Sequence, residues 1–301
     1  MNDKIYDLLI IGGGPAGLTG AIYASRAGLD YAMIEQGFPG GQVLNTAEVD
    51  NYPALPGISG MELGMKFMEH AQNLGMEQIM EEVTDLEVGE NIKIVRTFSN
   101  EYKAKNLLVC TGASPRKLGV AGEDEFRGRG VSYCATCDGA FFRGKKTVVV
   151  GGGDTAVSDA LYLSALCEEV TLVHRRDSLR AADSLQKKLM TKSNVKILWN
   201  SELTEVKGES KVSSVVIDTQ GKKTEFPADG VFVAVGITPN SMLLKGKVDT
   251  DLAGYILTDT HMRTSIRGIY AAGDVRNTPL RQIVTAAADG AVAVESIINT
   301  L

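Results

Sequence analysis

Cys134-Ala135-Thr136-Cys137 is the one Cys-x-x-Cys in the chain, and Asp138 follows it at once. Two thiols at this spacing can close a small disulfide. A neighbouring carboxylate can supply or accept the proton that thiol–disulfide exchange requires. The same spacing is also half of a zinc site, or simply two packed cysteines. Zinc needs about four ligands, and neither a second cysteine pair nor a Cys/His spacing involving His70, His174 or His261 supplies them. Redox chemistry is therefore the stronger reading, and no metal site is expected. Cys110 follows a strand-like run and Cys167 lies on a helical run, positions where a thiol packs as a small hydrophobe. There is no Ser-His-Asp set.

A redox pair needs an electron source, and two glycine turns point to one. Gly12, Gly14 and Gly17 fit G-x-G-x-x-G, with Pro15 and Ala16 between the last two. In this pattern the first glycine allows a tight turn and the second lets the backbone approach a pyrophosphate. The third lets helix and strand pack closely, so that the helix amino terminus faces the anion. A strand-like run precedes the turn, and Leu18 to Ala27 reads as a helix. A second run, Tyr31 to Ile34, ends at Glu35, which stands 23 residues after Gly12. A ribose-binding carboxylate is expected at about 20. The plain alternative is a strand–turn–helix with a surface Glu.

Gly151, Gly153 and Ala156 repeat the pattern around Asp154 and Thr155. At the position matching Glu35 stands His174, followed by Arg175, Arg176 and, four further on, Arg180. A carboxylate there would repel a 2′-phosphate, whereas arginine binds one through charge-assisted hydrogen bonds. If the segment after Asp177 is helical, Arg176 and Arg180 share a face. The first turn thus suits a ribose with free hydroxyls and the second suits NADPH. A solvated basic cluster is the alternative for the arginines.

These residues need strands and helices to hold them. Runs such as Leu8–Ile11, Thr147–Val150, Val170–Val173 and Val231–Val235 alternate with Ala- and Leu-rich helical stretches, which implies an α/β architecture with parallel strands. The chain has 301 residues, of which 44% are hydrophobic, enough for two modest cores. Its net charge is −6, and no basic run interleaves with aromatics, so nucleic acid is not an expected partner. The start, Met1-Asn2-Asp3-Lys4, leads into a short apolar run that ends in glycines, unlike a signal peptide. No apolar stretch is long enough to span a bilayer. A cytoplasmic location, away from membranes, is expected. Met61, Met65 and Met68 have near-helical spacing and are expected in a core; His70 and His261 are expected at the surface or in packing.

Taken in order, Gly12–Gly17, Gly41-Gln42, Asn51-Tyr52-Pro53, Thr111-Gly112-Ala113, Cys134–Asp138, Gly151–Ala156, His174–Ala181, Gly236–Asn240 and Ala271–Asp274 cover nearly the whole chain. The set resembles the low-molecular-weight bacterial thioredoxin reductases, FAD-dependent pyridine nucleotide-disulfide oxidoreductases. The resemblance implies two Rossmann-like dinucleotide-binding domains, with the NADPH domain inserted in a discontinuous FAD domain. The expected division is 1–113 and 243–301 for FAD, and 114–242 for NADPH and the cysteines. It implies that Gly41, Gln42 and Asn51 help to hold FAD. Gly273 and Asp274 would meet its ribityl and phosphate region, and Arg281 and Gln282 its ring. Thr111 and Gly112 would mark the first crossing between domains, and Gly236 to Asn240 the second.

The resemblance further implies a homodimer. Electrons would pass from NADPH through FAD to the cysteine disulfide and on to oxidised thioredoxin. In that scheme Cys137 sits against the flavin, Cys134 attacks the partner and Asp138 protonates a thiolate. Because one disulfide must meet both a flavin and a bulky protein, domain rotation is expected. Two features depart from many relatives: Ala140 stands where some carry an aromatic, and Ser158-Asp159 where many have two glutamates. Three other readings stand beside it. A peroxide-system reductase has a further amino-terminal redox domain. A second is a reductase acting on ferredoxin or a small-molecule disulfide, and relatives that reduce ferredoxin lack the cysteine pair. A flavin-binding redox sensor would use the cysteines as a switch.

Overall fold

In the strand Ile5–Ile11 every residue from Leu8 to Ile11 is buried, and successive side chains feed two separate cores. Leu8 and Ile10 pack with Leu18, Ala21, Leu108, Val294 and Ile297. Leu9 and Ile11 pack on the other face with Leu107, Val109, Leu244, Val248 and Ile256. A strand covered on both faces must be apolar at both parities, which explains the unbroken run. The structure is a computed structural model and describes residues 4–46 and 49–301. The reading of Met1-Asn2-Asp3 lies outside them.

Its α-helices are α1 (Pro15–Arg26), α2 (Gly60–Asn73), α3 (Ala135–Asp138), α4 (Asp154–Ser164), α5 (Asp183–Met190) and α6 (Ile283–Ile298). The chain divides into two compact units, one of Met1–Ser114 with Thr238–Leu301 and the other of Pro115–Ile237.

The first unit is built on a seven-stranded sheet. Its strands run in the order Gln78–Ile79, Tyr31–Ile34, Ile5–Ile11, Glu101–Val109, Lys93–Thr97 and Val83–Val88, and Ile269–Ala271 also pairs with Glu101–Val109. The strands that carry the glycine turn pair in parallel, with Ile11 opposite Ile34 and Val109. Ala271 lies opposite Val109 as well, so the late segment ends beside the first turn. Helices α1 and α6 pack through small residues: a Cβ on Gly290 would lie 2.1 Å from the Ala16 carbonyl oxygen. On α2 the inward residues are Leu63, Phe67 and Ala71, one helical stripe. Met61 and Met65 are exposed, contrary to the expectation of a core, and only Met68 packs inward.

The second unit has a parallel five-stranded sheet in the order Val195–Leu198, Glu169–Val173, Lys146–Gly151, Gly230–Ala234 and Val131–Ser132. Val149, Val170 and Leu172 face α4 through Ala156, Val157, Ala160 and Leu163. Val148, Val150 and Val173 face the antiparallel strands Ser201–Gly208 and Val212–Thr219. Both glycine turns therefore sit at the carboxyl ends of buried parallel strands, where open α/β sheets bind ligands.

The second break falls after Ile237 and not after 242. Asn240 is the reason. Its backbone N–H donates to the Gly112 carbonyl (2.9 Å), its Nδ2 donates to the Thr111 carbonyl (2.8 Å), and its own carbonyl accepts from Thr111 Oγ1 (2.7 Å). These bonds fasten it to the first unit.

Candidate functional site

In the first unit the backbone at Gly12 turns with φ +103°, and a Cβ there would lie 2.5 Å from the Cys110 carbonyl oxygen. Gly17 is closed to a side chain too, since its Cβ would sit 1.9 Å from the Gly12 oxygen. Gly14 differs. It caps α1 with no side-chain hydrogen bond, Pro15 follows at the first helical position, and a Cβ would meet nothing nearer than Gly41 Cα at 4.0 Å. The amino terminus of α1 thus has open backbone N–H groups beside a turn with room for a ligand, which fits a pyrophosphate.

Glu35 lies beside this turn. One carboxylate oxygen accepts from Gly13 N (2.7 Å) and the other from Gly37 N (2.9 Å). A carboxylate has about four lone-pair sites, so capacity remains for ribose hydroxyls. Gln42 donates through Nε2 to the Ala113 carbonyl. Asn51 Nδ2 donates to Gln282 Oε1 at 2.9 Å, joining residues 231 positions apart. Gln282 in turn caps α6 in a reciprocal box with Thr285. The Arg281 guanidinium lies 4.1 Å from the Tyr255 ring centroid, and its buried Nε has no hydrogen-bond partner among the described residues.

Gly273 has φ +75°, and a Cβ there would lie 3.1 Å from Ala16 Cβ. Its N–H donates to Asp289 Oδ2 (3.1 Å). Burial pushes the Asp274 carboxyl up, against the pull of Arg281. The residues assigned by motif thus gather around the first turn, with an orphaned buried donor and a cradle that a side chain would fill. That donor set fits FAD.

Two members of this cluster carried no motif. Asp289 and Arg276 form a nearly buried ion pair at 3.1 Å, with 13% and 11% of their side chains exposed. Their sequence signal is an acid, Asp289, inside the apolar run of α6.

In the second unit Gly151 has φ +154°, and a Cβ would meet Ala234 O at 2.4 Å and Ala156 Cβ at 2.7 Å. Gly153 caps α4 with open space around it and no side-chain hydrogen bond. The segment after Asp177 is not helical, since α5 begins only at Asp183. The shared helical face expected for Arg176 and Arg180 is therefore absent. Instead the Arg180 N–H donates to the Gly152 carbonyl (2.7 Å), and Asp154 Oδ1 accepts the Ala182 N–H (2.7 Å). Leu179 and Ala181 point inward, which turns Arg180 outward.

Arg175, Arg176 and Arg180 are all exposed and form no ion pair among the described residues. Thr155 is exposed at the start of α4. His174 is different: it is buried, its ring packs behind Gly152, and Nε2 contacts the Ser178 carbonyl (2.9 Å). Burial lowers its pKa, so it stays neutral and supports the turn from behind. Three unpaired arginines beside an open helix amino terminus fit NADPH.

Cys134 and Cys137 are joined as a disulfide, with Cys134 capping the single turn α3. Both are partly exposed, whereas Cys110 and Cys167 are buried and free. Asp138 ends α3. Its Oδ2 accepts from Ser132 Oγ at 2.6 Å, and its buried Oδ1 has no hydrogen-bond partner among the described residues. Burial pushes its carboxyl up, partly offset by the Ser132 hydroxyl. On α4, burial pushes Asp159 up to about 7. Among the described residues no group of His, Cys, Asp and Glu could hold a metal ion.

The model of the pyridine nucleotide-disulphide oxidoreductase family matches residues 6–290. Thioredoxin reductase from Bacillus subtilis (strain 168) is 48% identical over 298 residues, which cover 98% of this chain and 94% of that one. The structure of thioredoxin reductase from Streptococcus pyogenes MGAS5005 superposes with a TM-score of 0.93 at 48% identity, covering 98% of this chain and 97% of that one. Lactococcus lactis thioredoxin reductase, in its FR conformation, gives 0.69 at 44% identity, over 98% and 100%. A match over nearly the whole chain, which takes in the disulfide and both glycine turns, assigns it: the chain belongs to the pyridine nucleotide-disulphide oxidoreductase family, among its thioredoxin reductases.

Proposed function

We propose that this protein is an NADPH-dependent thioredoxin-disulfide reductase. The observation that carries the reading is the Cys134–Cys137 disulfide with Asp138 beside it, in the unit that holds the second glycine turn. FAD and NADPH are the cofactors of this reaction. Bound FAD supplies the two-electron carrier between the nicotinamide and the disulfide.

The residues of the chain divide the work. The N–H groups at the start of α1, with Gly12, Gly14, Pro15, Ala16 and Gly17, cradle the FAD pyrophosphate, and Glu35 orients its ribose. Gly41, Gln42, Asn51, Thr111, Gly112, Gly273, Asp274, Arg281 and Gln282 would complete the FAD site. Gly151, Gly153, Asp154, Thr155 and Ala156 receive the NADPH pyrophosphate, and Arg175, Arg176 and Arg180 receive its 2′-phosphate.

In the exchange step the Cys134 thiolate attacks one sulfur of the partner disulfide. That S–S bond breaks and a mixed disulfide forms. The Cys137 thiolate then attacks Cys134 Sγ, the mixed disulfide breaks, and the partner leaves with two electrons and two protons. Asp138 holds a proton for this traffic, because burial keeps its carboxyl protonated to higher pH than usual.

The homodimer and the cytoplasmic location belong to this proposal and rest on the family. No helix among the described residues is long and apolar enough to cross a membrane.

Two redox centres set an electron count. The purified protein should be yellow and release FAD on denaturation, and anaerobic titration should take up four electrons, two for the flavin and two for the disulfide. Release of FMN, or uptake of two electrons by the unmodified protein, would remove this reading.

A further inference from the structure

Ser132 closes the short strand Val131–Ser132 and is 6% exposed. Its side chain touches both ends of the cysteine hairpin. Oγ accepts the Cys134 backbone N–H at 3.1 Å and donates to Asp138 Oδ2 at 2.6 Å. The Cys134 carbonyl lies 3.3 Å away as an alternative acceptor. A hydroxyl has one proton to donate, and the shorter contact to a group that can carry charge is the stronger. The hairpin is closed again by the Asp138 N–H, which donates to the Cys134 carbonyl at 3.1 Å.

This arrangement treats the two carboxyl oxygens unequally. Oδ2 is occupied by the serine proton. Oδ1 is buried and has no partner among the described residues, a costly state for a carboxylate oxygen. A proton on Oδ1 relieves that cost and leaves Oδ2 free to accept from Ser132. The serine therefore decides which oxygen carries the exchangeable proton.

Beside the strand that ends at Ser132, Gly139–Phe142 and α4 pack against α3. Gly139–Phe142 has no titratable group, and α4 carries Asp154, Asp159 and Tyr162. Asp154 is bonded to the Ala182 N–H, and Asp159 is shifted by burial alone. Neither element supplies a base to pair with Asp138.

We propose that Ser132 is a positioning residue for the disulfide chemistry: it fixes one oxygen of the Asp138 carboxyl and reserves the other for proton exchange with the cysteine pair. The inference rests on the reading of Asp138 as the proton donor. Opening the Cys134–Cys137 bond takes two electrons, supplied by the NADPH-dependent activity, and two protons. It leaves two S–H groups. Asp138 gives one of the protons from Oδ1 and recovers it from solvent, and solvent gives the other.

The test is the pH profile of thioredoxin reduction by the holoenzyme. Ionisation of Asp138 produces a limb that falls as pH rises. A hydroxyl donating to a carboxylate favours the charged form, so Ser132→Ala should move that limb up by about one pH unit. The maximal rate should fall about tenfold as the carboxyl loses its orientation. Reduction of ferricyanide by NADPH, which does not need the disulfide, should be retained. Ser132→Thr keeps the hydroxyl and should leave the limb in place. An unmoved limb in Ser132→Ala, or a moved one in Ser132→Thr, overturns the assignment of Ser132. Asp138→Asn should abolish the limb. If the limb persists in Asp138→Asn, it is the reading of Asp138 that fails, and the serine proposal falls with it.

Discussion

Cys134→Ser and Cys137→Ser should each reduce thioredoxin-disulfide reduction to background, while NADPH continues to bleach the flavin absorbance. The two thiols act as a unit, because the second must resolve the mixed disulfide formed by the first. No other thiol can substitute. Cys110 and Cys167 are buried, and burial pushes both thiols up, away from the thiolate that exchange requires. The measurement follows flavin absorbance and thioredoxin reduction in the same sample, and each variant should take up two electrons where the unmodified protein takes four. Appreciable thioredoxin reduction by either variant would mean that electrons reach the partner without this pair.

Removing the arginines should change the choice of nicotinamide. Arg175, Arg176 and Arg180 stand exposed after the strand Glu169–Val173, and Arg180 is tied to the second glycine turn through Gly152. A hydrogen bond to a charged group is worth about 1.5–3 kcal/mol net, and about 1.4 kcal/mol is a factor of ten in a rate ratio. Changing one arginine to alanine should cost NADPH roughly ten- to a hundredfold in kcat/KM, towards the lower end because solvent screens exposed charges. NADH, which lacks the 2′-phosphate, should change little. Arg175→Ala with Arg176→Ala should narrow the preference most, without the two effects necessarily adding. Equal kcat/KM for NADPH and NADH in the unmodified protein would return the arginines to an ordinary solvated cluster.

The parts of this fold that could be read in the chain were those whose signal is local. A buried parallel strand announces itself by apolar residues at both parities, as Leu8–Ile11 does. A glycine turn announces itself by spacing, because Gly12 and Gly17 have no room for a Cβ. What could not be read depends on partners distant in sequence. The Asn51–Gln282 bond and the grip of Asn240 on Thr111 and Gly112 come from the return of the late segment to the first unit. Helical spacing misled twice. Met61 and Met65 share a face of α2, but Leu63, Phe67 and Ala71 own the buried stripe. Arg176 and Arg180 are four apart, but the chain between them is pinned to the glycine turn and does not wind. Ser132 had no motif at all, and only the distance to Asp138 draws attention to it.

The central claim is that electrons from NADPH leave this protein through Cys134 and Cys137 to a protein disulfide. The most direct test is anaerobic oxidation of NADPH by the purified protein, offered a panel of oxidised thioredoxin-like proteins and small-molecule disulfides. The account predicts rapid, multiple turnover with at least one thioredoxin-like protein, with one protein disulfide reduced for each NADPH consumed. A single round of reduction that stops once the flavin and the Cys134–Cys137 disulfide are filled, whatever acceptor is offered, would contradict it and leave a redox sensor in place of an enzyme.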